Sequence, residues 1–323
     1  CAQLLAFRPD SSLMQEDLVD GNASGLSLAR ARSGRAWWRS ALAYLELTKP
    51  LSVALLVFTG VGGLFVGSGG RPDGRSLVLL LLAGTAGASA ANVITCYIDR
   101  DIDAIMVRTR RRPLPTGRVA PPSRALLFGL VLMALSLLLA GLQGPLCLAL
   151  MALGLFDNIV VYSLLAKRRN RLSVLWGGLS GGAPVAYGWA AATGTLGLTP
   201  LLMAALVVLW IPNHIWNLAL YHAEDYRKVG VPMLPVVSEL SKAVRCIAST
   251  VALMFAASLA IHFAGGFGLL YLVAALVLGL GLLAGNTYLA LRPSRPLAWV
   301  LFKLSSPYLL LLFAAMMADV AIR

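Results

Sequence analysis

Nine apolar runs, each long enough to cross a lipid bilayer, set what this chain can become. They fall at about 51–69, 76–98, 124–142, 145–166, 172–192, 198–220, 243–264, 267–290 and 297–320. Roughly 20 apolar residues span about 30 Å of hydrocarbon as an α-helix. In lipid a segment has to satisfy its own backbone polar groups, which an α-helix does and an open strand does not. The expected fold is therefore all-α, a polytopic membrane protein with nine transmembrane helices. Composition agrees, because a chain that is 59% hydrophobic and only 13% charged, with a mean hydropathy of +0.79, does not match a soluble domain.

The runs are separated by Gly/Pro clusters such as Gln143-Gly-Pro and Arg292-Pro-Ser-Arg-Pro, or by charge such as Lys167-Arg-Arg-Asn-Arg. Basic residues collect at alternate connections. Arg30, Arg32, Arg35, Arg39 and Lys49 precede the first run, and Arg100, Arg108, Arg110, Arg111, Arg112 and Arg118 follow the second. Lys167, Arg168, Arg169 and Arg171 follow the fourth, Arg227, Lys228 and Lys242 the sixth, and Arg292 and Arg295 the eighth. The 3–4, 5–6 and 7–8 connections hold no Lys or Arg. Lys and Arg are retained on the cytoplasmic side, so the N-terminus is expected inside, the C-terminus outside, and the protein in a prokaryotic cell membrane. The net charge of +13 follows from this topology and from contact with anionic headgroups of the bilayer; no nucleic acid is expected as a partner.

Residues 1–40, rich in Ser, Gly, Ala and Arg, read as a mobile basic cytoplasmic tail ending in an interfacial segment at Trp37-Trp38, ahead of a membrane domain over 41–323. A chain beginning with Cys1 reads as a fragment or processed product, with no apolar signal segment in view. Cys1, Cys96, Cys147 and Cys246 show no metal-type spacing.

The second run ends in charge: Asn92-Val-Ile-Thr-Cys-Tyr-Ile-Asp-Arg-Asp-Ile-Asp103, then Met106-Val-Arg-Thr-Arg-Arg-Arg-Pro-Leu114. At 3.6 residues per turn, Asn92, Cys96, Asp99 and Asp103 share one face and Asp101 points away. Two carboxylates one turn apart suit Mg²⁺, a hard cation that takes one or two carboxylates together with phosphate oxygens and water. Arg108, Arg111 and Arg112 follow in the loop, where guanidinium groups can hold phosphate bidentately. For the arginines alone a topology anchor is the commoner explanation; charge continuing the face of a membrane helix favours a site.

A second acidic end, Glu224-Asp225-Tyr226, closes the sixth run. Both acidic ends precede a proline pattern, Arg112-Pro-Leu-Pro115 and Val231-Pro-Met-Leu-Pro235, and they lie four helices apart, as a duplicated four-helix unit would have them. The two acidic ends would then face one another across one cavity. A cation transporter using Asp99, Asp103 and Asp225 is the rival from another class. It predicts carboxylates near the bilayer midplane, whereas these cluster at one end among arginines.

Asp99-Arg-Asp-Ile-Asp103 with Met106, Arg108-Thr109, Arg112-Pro113-Leu114 and Gly117 resembles the first signature of the UbiA-type intramembrane prenyltransferases, in the version of the protoheme IX farnesyltransferase (heme O synthase) subgroup. Leu47-Thr-Lys-Pro50, Tyr162 with Lys167-Arg168-Arg169, Gly177-Gly178 through Pro184, His214-Ile-Trp216, Asp225-Tyr226, Pro232-Met-Leu-Pro235 and Lys303/Ser305/Tyr308 are similar to the same subgroup, in order, over about residues 43–320. Thr95 and Cys96 stand where that family places an asparagine, and Asn92 lies one turn before them.

The resemblance implies a helical bundle around a central cavity. It also implies Mg²⁺-dependent transfer of farnesyl from farnesyl diphosphate to a vinyl group of heme b, with water addition giving heme o. Asp99 and Asp103 would hold Mg²⁺, and Asp225, in the second acidic motif, would be a metal ligand as well. Arg108, Arg111, Arg112, Lys167, Arg168 and Lys49 would meet the diphosphate, and Asn92, His214, Trp216 and Tyr226 would contact substrate. His214 would ligate the heme iron or bond a propionate; Trp176, Trp189, Trp210 and Trp216 would line a porphyrin cavity or sit at membrane interfaces. The heme-a-forming or terminal oxidase assembly machinery is the implied protein partner. A related prenyltransferase with a quinone-precursor or other tetrapyrrole acceptor is the alternative.

Overall fold

The structure, a computed structural model, describes residues 37–323; residues 1–36 of the expected tail lie outside the described residues. The interfacial pair Trp37 and Trp38, 69% and 58% exposed, opens helix α1 (37–48), so helix begins ahead of the expected boundary at residue 41. Lys49 then takes a left-handed conformation (φ 54°) and Pro50 starts α2 (Pro50–Gly67), its fixed φ suiting the first helical turn. The same device starts α5 (Pro122–Gly141) and α6 (Pro145–Phe156). Helix α3 (Gly74–Ile98) is capped by Asp73, whose carboxylate accepts from the Ser76 N–H at 3.0 Å.

After α3 come the short α4 (Arg100–Ile105), then α5 and α6, which continues through a π-helical stretch, Asp157–Ala166. There follow α7 (Ser173–Trp176), α8 (Leu179–Thr193), α9 (Leu198–Tyr221), α10 (Ala223–Lys228), α11 (Leu234–Val237), α12 (Leu240–Gly265), α13 (Leu269–Leu291) and α14 (Arg295–Ala321). Among the described residues eight helices are long and apolar enough to cross a membrane. The ninth expected crossing, 172–192, is interrupted: Gly177 and Gly178 separate α7 from α8, whose 15 residues reach roughly 22 Å at 1.5 Å per residue. Glycine is required at the break, because a Cβ on Gly177 would meet the Tyr162 side chain at 2.7–2.8 Å.

A broken helix exposes backbone N–H groups at a depth where each unsatisfied one is costly. Asp157, 2% exposed, meets that need by accepting from the Ser180 N–H at 2.8 Å. At the other end of the bundle, buried Asp319 does the same for α13, accepting from the Gly268 N–H at 2.7 Å and the Tyr271 N–H at 3.3 Å.

The neighbour pairs α2/α3, α3/α5, α5/α6 and α6/α8 recur four helices later as α8/α9, α9/α12, α12/α13 and α13/α14, the packing pattern of a duplicated unit. The two halves join where α2 crosses α8 and where α14 meets α2. The α2–α8 crossing is close because its interface is glycine: a Cβ on Gly188 would run into the Gly60 carbonyl oxygen, and one on Gly63 into that of Val185. Small residues give such an interface its van der Waals contact where lipid removes the usual hydrophobic drive. A second cluster, Ile102, Met106, Val174, Trp216, Tyr226, Met233 and Leu234 among others, packs the connections after α3 and after α9 against each other over one end of the bundle.

Candidate active site

A cavity of about 950 Å³ lies between α2, α3, α6, α8, α9 and α14. Its wall is mostly apolar, with Asn92, Asn158, Tyr162, Ser180, Tyr187 and His214 as polar points. Leu51, 90% exposed, and Leu310, 43% exposed, are also in the wall, so the cavity is not sealed from the bundle surface. Among the described residues no Lys, Arg, Asp or Glu lines it; the charged groups come nearest at Tyr162, in the wall, whose ring lies 5.8 Å from the Lys167 Nζ.

Asp99 ends α3 and precedes α4. The turn keeps helical spacing, with Asp99 N–H bonded to Thr95 O at 2.9 Å and Asp103 N–H to Asp99 O at 2.8 Å, so both carboxylates stay on one buried face, 3% and 4% exposed. The Lys167 ammonium, delivered by the end of the π-helical stretch, hydrogen-bonds Asp99 Oδ2, and Arg112 Nη1 donates to Asp103 Oδ2 at 2.7 Å. Asp225, on α10, is buried and accepts from the Arg108 N–H at 3.3 Å. The two acidic ends expected to face each other thus meet through the backbone of the first arginine-rich loop.

Asp101 points outward, as helical phase requires, and binds both Arg168 nitrogens at 2.7 and 2.6 Å. That pairing holds its carboxyl down at about 2. Arg168 also donates to Ile98 O at 3.0 Å, so it clamps the end of α3 to the α6–α7 connection. Arg108 and Arg111 are exposed, and among the described residues their guanidinium groups make no hydrogen bond. Lys49, between α1 and α2, faces Asp103, Arg112 and Lys167; burial, with those two cations adding to it, lowers its pKa. Burial and the Arg108 charge lower His222 likewise, against a smaller pull from Asp225.

The donor set suits a hard cation in part. Asp99 Oδ1 is buried with no hydrogen-bond partner, its nearest cation being Arg168 Nη2 at 3.9 Å, and Asp103 is bonded through Oδ2 alone, so each carboxylate keeps one oxygen without a hydrogen bond. Among the described residues no three His, Cys, Asp or Glu side chains gather into a metal site, and Asp225 does not join the pair. Two carboxylates suffice where phosphate oxygens and water complete the shell, as Mg²⁺ prefers.

Of the remaining candidates, Asn92 lines the cavity and donates to Thr48 O at 2.9 Å. His214 lines it too, with its ring stacked on Trp210 at 4.6 Å. Trp210 is the one tryptophan in the cavity wall. Trp216 and Tyr226 lie in the cluster under the connections instead, Trp176 is 59% exposed, and Trp189 borders a smaller cavity with Thr199 and Arg323. Asp157 and Asn158 are not among the sequence candidates, although adjacent polar residues inside an apolar run are a signal on their own. Asn158 Oδ1 accepts from Thr95 Oγ1 at 3.2 Å, which places an amide beside the position where the resemblance led us to expect one.

Residues 55–313 match the profile of the UbiA prenyltransferase family. The chain belongs to that family. A protein of Desulforudis audaxviator named protoheme IX farnesyltransferase is 50% identical to this prenyltransferase over 285 residues, 88% of this chain and 90% of that one. A UbiA homologue from Aeropyrum pernix K1 superimposes with a TM-score of 0.67 at 23% identity, covering 84% of this chain and 98% of that one. A UbiA homologue from Archaeoglobus fulgidus bound to GPP and Mg²⁺ gives 0.60 at 19% identity, covering 85% and 99%. The all-α bundle and the prenyltransferase class agree with these similarities.

Proposed function

We propose that this prenyltransferase transfers the farnesyl group of farnesyl diphosphate to a vinyl group of heme b, with water addition, giving heme o and diphosphate. The observation that carries the reading is the nearness of two environments: an apolar cavity of about 950 Å³ with Tyr162 in its wall and, 5.8 Å from that ring, the Lys167 ammonium bonded to Asp99, with Asp103 and Arg112 paired beside them. The volume lies at the upper end for small-molecule sites, room for a prenyl chain beside a flat acceptor. Identity to a protoheme IX farnesyltransferase along most of both chains supports heme b over a quinone precursor as acceptor.

Mg²⁺ held by Asp99 and Asp103 would neutralise charge on the diphosphate. Asp225 lies across from them as the second acidic motif, holding the Arg108 loop. Arg108, Arg111, Arg112, Lys167 and Lys49 bind the phosphate oxygens and stabilise the charge that develops as the C1–O bond breaks. The bonding pair leaves with the diphosphate. The vinyl π pair then forms the bond to farnesyl C1, water adds to the resulting cation beside the porphyrin, and the proton is released. Apolar walls keep water from the allylic cation before the carbon–carbon bond forms.

The alternation of basic connections supports a cytoplasmic position for this end in a prokaryotic cell membrane, with the N-terminus inside and the C-terminus outside. The product would pass to the heme-a-forming or terminal oxidase assembly machinery. Purified protein incubated with Mg²⁺, farnesyl diphosphate and heme b should yield a product with the mass of heme o, and Asp99→Ala should not. Prenylation of another acceptor with heme left unmodified would sink the heme assignment; full activity in Asp99→Ala would sink the site.

A further inference from the structure

Ser305 on α14 is bonded to two aromatic residues of α9. Its carbonyl accepts from Trp210 Nε1 at 2.7 Å, and its hydroxyl lies 2.7 Å from His214 Nδ1. The same hydroxyl lies 2.7 Å from the Phe302 carbonyl oxygen. A serine hydroxyl has a single proton. Two oxygens 2.7 Å apart need a proton between them, so the Ser305 proton goes to Phe302 O. The other contact then requires His214 Nδ1–H as donor and Ser305 Oγ as acceptor. In the neutral ring, the form that burial among apolar side chains favours, His214 Nε2 is then unprotonated and presents a lone pair. Trp210 stacks on the imidazole at 4.6 Å and Phe302 lies 4.4 Å from it, tilted by 37°. Its faces are flanked by these rings, His214 lines the cavity, and its Nε2 has no hydrogen-bond partner among the described residues.

We propose that Ser305 is a positioning residue that holds His214 as an axial ligand for the iron of the porphyrin acceptor, a role that rests on the heme reading above. A neutral imidazole whose Nδ1 proton is committed to Ser305 offers a lone pair to a metal and no proton to a propionate. This selects the first of the two roles that the sequence left open for His214. A metal-bound histidine commonly donates its other ring N–H to an oxygen acceptor, and losing that partner typically lowers metal affinity.

The test is a heme titration of the purified, full-length protein without prenyl diphosphate, read as the position and intensity of the Soret band. The wild type should bind heme with an imidazole-ligated spectrum and bind metal-free protoporphyrin IX more weakly. Ser305→Ala should weaken heme binding about 10-fold, and Ser305→Thr, which keeps a hydroxyl, should restore it. His214→Ala should lose the imidazole signature, and added imidazole should bring it back. An unchanged Soret band in His214→Ala, or equal binding of heme and metal-free porphyrin, would overturn the inference and leave the heme reading standing. Failure of the wild type to bind any porphyrin overturns both.

Discussion

The Arg108 N–H donates to the Asp225 carboxylate at 3.3 Å, joining residues 117 positions apart. This one contact ties the acidic end of the second half of the chain to the arginine-rich loop of the first. The contact needs an acceptor more than a charge. Asp225→Asn, which keeps an oxygen for the Arg108 N–H, should retain more activity than Asp225→Ala, for which we expect kcat/KM for farnesyl diphosphate to fall about 100-fold. Steady-state kinetics of both variants decide it; equal losses would mean that the charge is what matters.

Asp99 and Lys167 are a buried pair, with side chains 4% and 14% exposed. Lys167→Met would leave the carboxylate with only Arg168, 3.9 Å away, and breaking a buried pair costs up to about 3–5 kcal/mol. The melting temperature in detergent should drop. Added Mg²⁺ should raise it more in Lys167→Met than in the wild type, since the cation then fills the role of the missing ammonium. No difference in the Mg²⁺ response would count against Asp99 as a metal-facing group.

Lys49 has its pKa lowered by burial and by Arg112 and Lys167. The unfolded chain holds this proton more tightly than the folded one. Stability from this group is therefore least at low pH and rises as pH climbs through the lowered pKa. Anion binding runs the opposite way, because only the ammonium attracts diphosphate. The KM for farnesyl diphosphate should rise with pH on the alkaline side, earlier than for an ordinary lysine. Lys49→Arg, whose guanidinium stays charged, should flatten that limb. A pH profile of KM that is the same in both proteins would refute the assignment.

Asp157 caps the interrupted fifth crossing through the Ser180 N–H. Asp157→Leu should cost about 1–3 kcal/mol, the expense of an unpaired buried donor, seen as a lower melting temperature. Gly188→Leu, which would drive a side chain into the Gly60 carbonyl, should be worse and prevent α2 and α8 from closing. A melting temperature unchanged in both would contradict the packing described here.

The apolar runs and the alternating basic loops were readable because a bilayer tests each segment separately: a helix must be long enough and apolar enough on its own. Asp99 and Asp103 were readable for a similar reason, since a period of 3.6 puts them on one face whatever surrounds them, and the same period sets Asp101 aside. The interruption at Gly177-Gly178 was not, because glycine inside an apolar membrane run is compatible with unbroken helix, and the Tyr162 side chain that excludes a Cβ at Gly177 lies on another element. Arg168 illustrates the limit for charges. Its sequence neighbourhood matches that of Lys167, yet Lys167 hydrogen-bonds the buried Asp99, whereas Arg168 stays 3.9 Å from that carboxylate and gives its hydrogen bonds to the exposed Asp101. Trp216 belongs to the same class: its segment led to the right helix, but its side chain faces the cluster over the bundle end and not the cavity.

From the order of residues alone follow the membrane setting, the helical class, the acidic strip and the family resemblance, all of which depend on local spacing or on hydropathy summed along one segment. The folded chain settles which cation meets which carboxylate, the joining of Arg108 to Asp225, the cap on the broken helix and the direction of the hydrogen bond at His214. Each of these is a contact between elements distant in sequence. Its energy depends on burial and donor direction, and those exist only once the helices have packed.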